Sequence, residues 1–485
     1  MNSPDTISPA RLRRPEELPT PRGWPVLGQL LSFEPMRAHL QFEAWARELG
    51  TPFRFNLGPK LQFIVHDDFA LLQHASRDRP DGFTRGATLQ PTFEEMGING
   101  LFSIEGKAWH PQRRLIMQAL NSTHFRGWFE TLQDITSRLH RRWARMAQRG
   151  DVIDMTDDLR RYTVDVTSAL AFGENPNTLE VEGDRIQQQL EVIFPAIMRR
   201  AFAPIRYWNW KWLRLPQDRR LDRALAEVRV YANQRIAASR AKLAANGGAH
   251  TSNALEALLL AQEEQGLTES EVISNVITLL VAGEDTTSNS LAWTMPFLAA
   301  DPALQERMHA RAAGFLGDAD VCPDHETLHA MDDFEPLALE AMRFKPVVPF
   351  NSFTTTRPTV LGDLDLPAHT KLFFLKRPAM LDPNNFSDPL RYDPERWRRA
   401  RTPGSGNHEQ RAFVQFGAGP RVCPGRHLAT LEMRLVLSML LRNFEVELAC
   451  PAEDIQEVDA FTMMPNRMPV RLKPRAPRPQ ASARI

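Results

Sequence analysis

Cysteine is scarce in this chain, and several classes of site are excluded on that ground. Only Cys322, Cys423 and Cys450 occur among 485 residues, and no two of them form a Cys-x-x-Cys pair. Zinc ribbons, most iron–sulfur sites and covalently attached c-type haem need such pairs. The scattered spacing also argues against a disulfide framework, which indicates a reducing compartment.

Net charge and long apolar runs are missing as well. Lysine plus arginine equals aspartate plus glutamate at 59 each, so we expect no general affinity for nucleic acid or an anionic membrane. No run approaches the roughly 20 apolar residues that span a bilayer, and the proline-rich N-terminus has no signal-peptide core. We therefore expect a soluble, cytoplasmic protein without a membrane anchor.

Repeats, long linkers and low-complexity blocks are not found either. Residues 1–25 are interpreted as a flexible lead, residues 26–472 as a single domain and residues 473–485 as a tail. Helical periodicity dominates residues 111–342, while strand-like segments are few and short. The predicted fold class is mainly α with a minor β region.

The clearest predicted helix covers residues 268–300. Thr268 and Glu271 have the spacing of a capping box at its start, and Asp301 followed by proline marks its end. At 1.5 Å per residue this helix would be about 50 Å long. Its apolar middle contains Gly283 and two acids, which a purely structural helix would avoid because they cost stability, so a functional segment is expected there.

One cysteine has a specialised neighbourhood. The stretch FGAGPRVCPG, residues 416–425, surrounds Cys423 with three glycines that allow a tight turn, and a helical segment follows. Backbone N–H groups and the positive end of that helix favour an anion, so we expect a lowered thiol pKa. The alternative is a buried structural cysteine beside a turn, which is the interpretation we favour for Cys322 and Cys450.

This stretch resembles the haem-binding loop of the cytochrome P450 family, with phenylalanine, glycine, arginine, cysteine and glycine at every fixed position. Four further segments resemble family motifs in the expected order: WHPQR (109–113), AGEDTT (282–287), EAMR (340–343) and PERW (394–397). The resemblance implies the cytochrome P450 fold, a triangular prism of long helices around a buried haem. It also implies a haem-thiolate monooxygenase that inserts one atom of O2 into an apolar organic substrate.

The resemblance assigns a set of residues to the cofactor, haem b. Cys423 would be the axial thiolate ligand of the iron, a type of ligand that favours O–O cleavage. Phe416 would shield the sulfur from water. Trp109, Arg113 and Arg421 would bind the haem propionates. Without the resemblance, Trp109 is equally well interpreted as a core tryptophan.

By the same resemblance, Asp285 and Thr286 would be catalytic and deliver protons to the bound oxygen. Ala282 and Gly283 would leave room for dioxygen. An alternative for Asp285 and Thr286 is a solvent-facing acid beside a hydroxyl bonded back to the helix. The substrate pocket is expected to be lined by four residues, Phe102, Ala282, Phe461 and Met463.

A structural network is implied for Glu340, Arg343 and Arg396. Glu340 and Arg343 lie one helical turn apart, so their side chains can meet. The resemblance places this network in the buried core beneath the haem, with no catalytic role. From the residues alone, the pair would be interpreted as a surface salt bridge.

One departure from the family pattern concerns a propionate-binding arginine about ten residues after the glutamate–arginine pair. Here Ser352 and Phe353 occupy that region, and Arg357 is not assigned to the haem. Bacterial self-sufficient fatty-acid hydroxylases show the same loss, and the chain is similar to them at AGEDTTS and GLFSIEGKAW. Lys60 falls where those enzymes place a carboxylate anchor.

Those hydroxylases carry a fused reductase, whereas this chain is expected to receive electrons from NAD(P)H through a separate ferredoxin or flavodoxin and its reductase. A basic surface beside the thiolate would suit an acidic partner, although a merely solvated basic face is the alternative. Nine arginines would form it: Arg391, Arg396, Arg398, Arg399, Arg401, Arg411, Arg421, Arg426 and Arg434. We expect a monomer.

Two rival functions remain open from the sequence. A peroxygenase of the same fold would use hydrogen peroxide directly, and such enzymes usually lack the acid–alcohol pair at residues 285 and 286. A non-catalytic haem-binding sensor would insert no oxygen with any electron source.

Overall fold

The computed structural model describes residues 11–86, 88–120, 122–181, 185–245, 251, 253–399 and 408–475. Within this part of the chain the α-helices are α1 Ala38–Leu49, α2 Phe69–Arg77, α3 Leu89–Met96, α4 Trp109–Ala119, α5 Ser122–Arg149, α6 Met155–Phe172, α7 Arg185–Ala201, α8 Pro216–Ala245, α9 Ala254–Gln265, α10 Glu269–Ala292, α11 Met295–Ala300, α12 Pro302–Leu316, α13 His325–Ala330, α14 Glu335–Phe344, α15 Arg377–Met380, α16 Arg396–Arg399 and α17 Arg426–Asn443. The strands are β1 Phe53–Asn56, β2 Gln62–His66, β3 Phe83–Arg85, β4 Ile153–Asp154, β5 Phe350–Thr355, β6 Thr359–Leu361, β7 Leu364–Leu366, β8 Lys371–Leu375, β9 Phe444–Leu448, β10 Glu457–Asp459, β11 Met463–Pro465 and β12 Pro469–Pro474. The predicted fold class, mainly α with a minor β region, is confirmed.

The largest sheet has the strand order β1-β2-β8-β5-β3. β2 and β8 are parallel, and the other neighbouring pairs are antiparallel. The rings of Phe42, Phe55, Phe63 and Phe373 pack together with centroids 5.0–6.4 Å apart, which buries part of this sheet against α1. A three-stranded sheet, β4-β12-β9, and the hairpins β6-β7 and β10-β11 complete the β structure.

The helical core is built around the packing of α6 against α10, with α5 and α17 beside them. Trp143, Tyr162 and Trp293 are among its largest fully buried side chains. Burial of large aromatic surfaces supplies much of the stability of such a core. The same packing places the middle of α10 in the interior of the domain.

The long helix predicted for residues 268–300 is divided in two. α10 ends at Ala292, and α11 begins at Met295, with Pro296 in its first turn. Proline lacks an N–H and its ring clashes with the carbonyl four residues earlier, so α10 cannot continue through it. α10 is therefore about 36 Å long, and neither it nor any other described helix has the length and apolar character needed to cross a membrane.

The capping box at the start of this segment is confirmed, whereas Asp301 ends α11 and not α10. Thr268 Oγ1 accepts from Glu271 N at 3.3 Å, while Glu271 Oε2 accepts from Thr268 N at 2.8 Å, which completes the capping box. Asp301 caps α12 by accepting a hydrogen bond from Leu304 N at 2.8 Å.

Part of the predicted N-terminal lead packs against the sheet region. Arg13 N donates to Asp363 O at 2.8 Å, and the Arg13 Nε lies 2.6 Å from Asp363 Oδ2. Leu18 is 3 % exposed and belongs to a core with β6 and β7. Residues 1–10 lie outside the described residues, and the division of the chain at residues 25 and 472 stays a prediction.

Candidate active site

Cys423 lies in a tight loop between a 3₁₀ turn, Gly419–Arg421, and helix α17. Gly419 has a φ angle of 65°, a conformation that favours glycine. A Cβ on Gly419 would also lie 3.1 Å from the carbonyl oxygen of Ser76, at the end of α2. The loop closes through a hydrogen bond from Cys423 N to Phe416 O at 2.8 Å. The glycine-rich sequence thus produces the turn expected of it.

The Cys423 sulfur receives hydrogen bonds from the backbone N–H groups of Gly425 and Arg426, and the charge of Arg113 acts on it. These groups lower the pKa of the thiol, but burial raises it by more, so the pKa lies above its ordinary value. The expectation of a lowered pKa is therefore wrong, because burial of the sulfur has a larger effect than the N–H donors and nearby charges. A metal cation bound to the sulfur would reverse this balance.

Phe416 begins the same loop and packs, half-buried, against the helical core. The guanidinium carbon of Arg426 lies 5.4 Å from its ring centroid, a cation–π contact that fixes the ring further. An aromatic ring held in this position is suited to excluding water from the loop.

Trp109, Arg113 and Arg421 come together beside the cysteine loop. Arg113 Nη2 donates to Val422 O at 2.7 Å, and the Arg421 guanidinium carbon lies 4.3 Å from the Trp109 ring centroid. Burial and then the charge of Arg79 lower the pKa of Arg421 to about 10. Three residues from two distant sequence motifs therefore form a cationic region suited to carboxylate groups.

Helix α10 has an open side and a packed side at residues 282–287. Ala282 is exposed, although the helix around it is largely buried. A Cβ on Gly283 would lie 2.8 Å from Thr167 Oγ1 of α6. The close approach of two helices therefore gives one reason for a glycine at position 283, and its predicted place beside dioxygen stays a prediction. The small side chain on the open side is that of Ala282.

Asp285 lies on the packed side of α10 and is 3 % exposed. Its Oδ1 lies 3.5 Å from Arg160 Nε on α6, and Thr462 Oγ1 donates to its Oδ2 at 3.4 Å. Burial raises the pKa of Asp285, while Arg160 and Thr462 oppose the rise. The alternative of a solvent-facing acid is wrong. Neither Arg160 nor Thr462 was identified from the sequence.

Thr286 is half-buried and lies one helical turn from Ala282, so the two share the open side of α10. Its hydroxyl donates to Ala282 O at 3.0 Å, the local bond that was considered as an alternative to a catalytic role. Asp285 and Thr286 are thus adjacent in sequence, but Asp285 contacts Arg160 and Thr462 on the packed side of α10, whereas Thr286 lies on the open side.

Phe102 and Phe461 are half-buried and belong to one aromatic cluster, with ring centroids 5.8 Å apart. Phe93 lies 5.2 Å from Phe102, and Phe194 stacks on Phe461 at 5.8 Å. Phe93 and Phe194 were not predicted, because single phenylalanines in helices carry no distinguishing pattern. Four rings from separate elements therefore form an apolar wall.

Met463, predicted to line the substrate pocket, belongs to the helical core instead. It is 0 % exposed, its N–H donates to Val347 O at 2.8 Å, and its carbonyl accepts from Trp293 Nε1 at 3.4 Å. The alternation of side chains along β11 turns Met463 inward, which sequence alone did not show.

The structure brings Glu340, Arg343 and Arg396 together in the buried core. Arg343 Nη2 lies 2.8 Å from Glu340 Oε1, and Arg396 Nε lies 2.9 Å from the same oxygen. Trp397 Nε1 donates to Glu340 Oε2 at 3.0 Å. Glu340 and Arg343 are 0 % exposed and Arg396 is 4 % exposed, so the alternative of a surface salt bridge is wrong.

Two basic residues considered in the sequence analysis, Lys60 and Arg357, lie at the surface. Lys60 is exposed in the turn between β1 and β2. Arg357 lies 3.7 Å from Asp78 with 62 % of its side chain exposed, which agrees with its omission from the haem contacts.

The residues around Cys423 fit a haem. Within the described residues, no group of three or more His, Cys, Asp or Glu side chains could hold a metal ion. A macrocycle would supply the other ligands of a metal bound to Cys423. The N–H donors suit a sulfur anion, and Arg113 and Arg421 suit the carboxylates of a porphyrin.

The sequence model of the Cytochrome P450 family matches residues 18–471 of the chain. The chain belongs to the cytochrome P450 family. This P450 is 27 % identical over 448 residues to "Cyclooctat-9-en-7-ol 5-monooxygenase" of Streptomyces melanosporofaciens. The aligned region covers 91 % of this chain and 93 % of that protein. It is also similar to "Sterol 26-hydroxylase, mitochondrial" of Homo sapiens, 27 % identical over 76 % of this chain and 71 % of that protein. "25-hydroxyvitamin D-1 alpha hydroxylase, mitochondrial" of Mus musculus is 26 % identical, over 76 % of this chain and 74 % of that protein.

Membership confirms several predictions made from the motifs. The protein is a haem-thiolate monooxygenase that oxidises organic substrates, and its cofactor is haem b with O2 as co-substrate. As a P450 it takes electrons from a redox partner. The comparisons do not assign roles to individual residues.

Proposed function

We propose that this P450 oxidises an apolar substrate with Cys423 as the iron ligand and with electrons from NAD(P)H, delivered by a separate ferredoxin or flavodoxin and its reductase. One atom of O2 enters the substrate and the other leaves as water. The Cys423 loop supports this proposal most, because two backbone N–H groups and two arginines surround its sulfur. The scarcity of cysteine supports a cytoplasmic location.

The bound haem supplies the oxygen chemistry, and the chain controls its surroundings. The N–H groups of Gly425 and Arg426 would hold part of the negative charge on the Cys423 sulfur and so tune its donation to iron. Phe416 would keep water from that sulfur. Trp109, Arg113 and Arg421 would hold the propionates, while Ala282 leaves space on α10.

Proton delivery is the proposed role of Asp285 and Thr286. Burial raises the pKa of Asp285, so its carboxyl holds a proton more readily than an exposed aspartate does. Its contacts to Arg160 and Thr462 point it away from Thr286, so delivery requires the carboxyl to turn from Arg160. The Thr286 hydroxyl, on the open side of α10, would hold a water that receives the proton.

We expect Thr286→Ala to oxidise NAD(P)H with little product. Without ordered proton delivery, O2 takes up two electrons and two protons and is released as hydrogen peroxide, and its O–O bond is not cleaved. Asp285→Asn should slow turnover by about 10²- to 10⁴-fold, the usual contribution of a proton-transfer group. Product, NAD(P)H consumption and peroxide are measured together with the redox partners.

Thr278→Ala provides the matched control for Thr286→Ala. Thr278 is also a half-buried threonine of α10 whose hydroxyl bonds back to a carbonyl, Ser274 O at 2.7 Å. It should keep its yield of product. Equal yields in the wild type, Thr286→Ala and Asp285→Asn proteins would contradict the relay, and sustained turnover on peroxide alone would favour the peroxygenase.

The apolar nature of the substrate is supported by the four-ring wall of Phe93, Phe102, Phe194 and Phe461. Buried aromatic surface binds apolar molecules with few polar contacts. Two relatives are named for the oxidation of a sterol and of cyclooctat-9-en-7-ol, so we propose a hydrocarbon-rich substrate of that kind or a fatty acid. A spectral shift of the haem band on titration identifies it.

The basic surface predicted for the redox partner is smaller in the structure. Arg396 and Arg421 are largely buried, and Arg401 lies outside the described residues. Four others form ion pairs with acids: Arg398, Arg399, Arg411 and Arg434. Arg391 and Arg426 are exposed, and no ion pair to either is found in the described part of the chain.

Arg391→Glu should slow reduction by an acidic ferredoxin by on the order of tenfold at low salt, because reversing an exposed charge away from the Cys423 loop mainly changes the association rate. Stopped-flow reduction at two salt concentrations measures this effect. Arg471→Glu, at an exposed arginine of β12, is the matched control and should reduce normally. Identical rates for both variants would contradict a docking role of Arg391.

A further inference from the structure

The loop that joins β10 to β11 connects the aromatic wall to the buried acid of α10. Phe461 belongs to the wall, and Phe194 stacks on its ring at a centroid distance of 5.8 Å. The next residue, Thr462, is buried, and its hydroxyl donates to Asp285 Oδ2 at 3.4 Å. One side chain of this loop therefore lies at the proposed substrate pocket, while its neighbour contacts the proposed proton donor.

Two long contacts hold the Asp285 carboxyl on the packed side of α10. Asn289 Nδ2, one helical turn after Asp285, donates to Thr462 Oγ1 at 3.2 Å. Because that amide uses a lone pair of the hydroxyl oxygen, the hydroxyl proton is left for the carboxylate. At 3.4 Å this bond is longer than a usual hydroxyl bond and breaks at low cost. The other contact, to Arg160 Nε, is 3.5 Å long.

The loop is strained at Phe461 and anchored just beyond Thr462. Phe461 has a φ angle of 84°, which a bulky residue rarely adopts. Such a conformation persists only where its surroundings hold it, and here the rings of the wall do so. Met463 is fixed because its N–H donates to Val347 O at 2.8 Å. A molecule packed against the Phe461 ring changes this support, and residues 461–462 are the part of the loop that responds.

We infer that Thr462 is a positioning residue for Asp285, and that it makes proton delivery depend on a substrate in contact with Phe461. In the empty pocket, Thr462 helps to hold the carboxyl on the packed side. A substrate that displaces Phe461 draws the hydroxyl away. The carboxyl then turns, and its proton passes to the water held by Thr286. The inference rests on the proposed proton relay and adds the part of the substrate pocket that controls it.

The share of electrons lost as hydrogen peroxide measures this control even without a substrate. With ordered proton delivery, the empty protein reduces O2 with four electrons and four protons to two molecules of water. Without it, two electrons and two protons give one hydrogen peroxide. Thr462→Val removes the donor and should release about threefold to tenfold less peroxide per NAD(P)H than the wild type, the effect of losing one hydrogen bond. Thr462→Ser keeps the hydroxyl and should behave as the wild type.

A control and a probe separate positioning from packing. Thr294→Val removes another buried hydroxyl, at the start of α11, which donates to Ser290 O at 2.9 Å. It should behave as the wild type. Palmitic acid or cholesterol, whichever shifts the haem band more, should lower the peroxide share in the wild type when bound. The probe should not lower it in Phe461→Ala, because the ring that transmits its contact is missing.

Each other outcome is decisive. An unchanged or larger peroxide share in folded, empty Thr462→Val would overturn the inference if Asp285→Asn raises that share in the probe-bound protein. If Asp285→Asn has no effect either, the proposed relay fails instead. An equal decrease on probe binding in the wild type and Phe461→Ala would also overturn the inference. Should Thr462→Val not fold, Asn289→Ala, which removes the group orienting the hydroxyl, must show the same decrease for the inference to stand.

Discussion

Cys423→Ala is expected to abolish oxidation driven by NAD(P)H with every substrate. Cys423 is the thiol that the loop surrounds with N–H donors, and the described residues contain no cluster of ligands that could replace it. Without an electron-rich sulfur on iron, the O–O bond is not cleaved productively. We expect turnover to fall below detection, measured as product per haem with saturating redox partners.

The two remaining cysteines provide matched controls, because each also precedes a proline. Cys450 is half-buried, and Cys450→Ala should keep full turnover. Cys322 is buried, its thiol donates to Asp324 O at 3.3 Å, and burial raises its pKa to about 12, as expected of an inert structural thiol. Persistent turnover in Cys423→Ala, or its loss in Cys450→Ala, would contradict the assignment of the iron ligand.

Glu340→Gln is expected to lower the free energy of unfolding by about 3–5 kcal/mol, the usual cost of removing one partner from a buried ion pair. The carboxylate contacts Arg343 and Arg396 and accepts from Trp397, all inside the core. A neutral amide leaves two guanidinium groups without a counter-charge. Denaturant unfolding followed by circular dichroism measures the loss.

Asp454→Asn is the matched control for this measurement. Asp454 and Arg467 also form an ion pair, at 3.2 Å, but about half of each side chain is exposed. Removing such a surface pair should change stability by about 1 kcal/mol or less. A Glu340→Gln protein as stable as Asp454→Asn would show that the buried network does not support the core.

The features that could be predicted from the sequence depend on short spacings. The glycines around Cys423, the three-residue separation of Glu340 and Arg343, and the capping box at Thr268 each place their side chains locally. In such cases the backbone geometry of one turn or one helix is enough to determine the contact. Family resemblance then supplied the roles of these local units.

The features that were missed depend on contacts between distant segments. Arg160 meets Asp285 because α6 packs on α10, and Phe194 of α7 stacks on Phe461 in the loop between β10 and β11. The same packing explains Gly283, whose missing Cβ faces α6. Neither contact leaves a periodicity or spacing in the sequence, so a single sequence could not reveal it.

Two errors arose from weighing competing effects. The helix N-terminus and the N–H donors do act on Cys423, but burial has the larger effect on the pKa of its thiol. The helix predicted to reach residue 300 has the right periodicity, yet Pro296 ends α10 near Ala292. In both cases the sequence identified the residues involved, but it did not show which of the two competing effects is larger.

The ligation of iron by the Cys423 sulfur is tested most directly by the absorption spectrum of the purified protein, reduced and treated with carbon monoxide. We predict a haem band at the long-wavelength position that is diagnostic of a thiolate ligand, lost in Cys423→Ala and kept in Cys450→Ala. A band at the shorter wavelength of haem proteins without a thiolate ligand, or a long-wavelength band that persists in Cys423→Ala, would contradict this account.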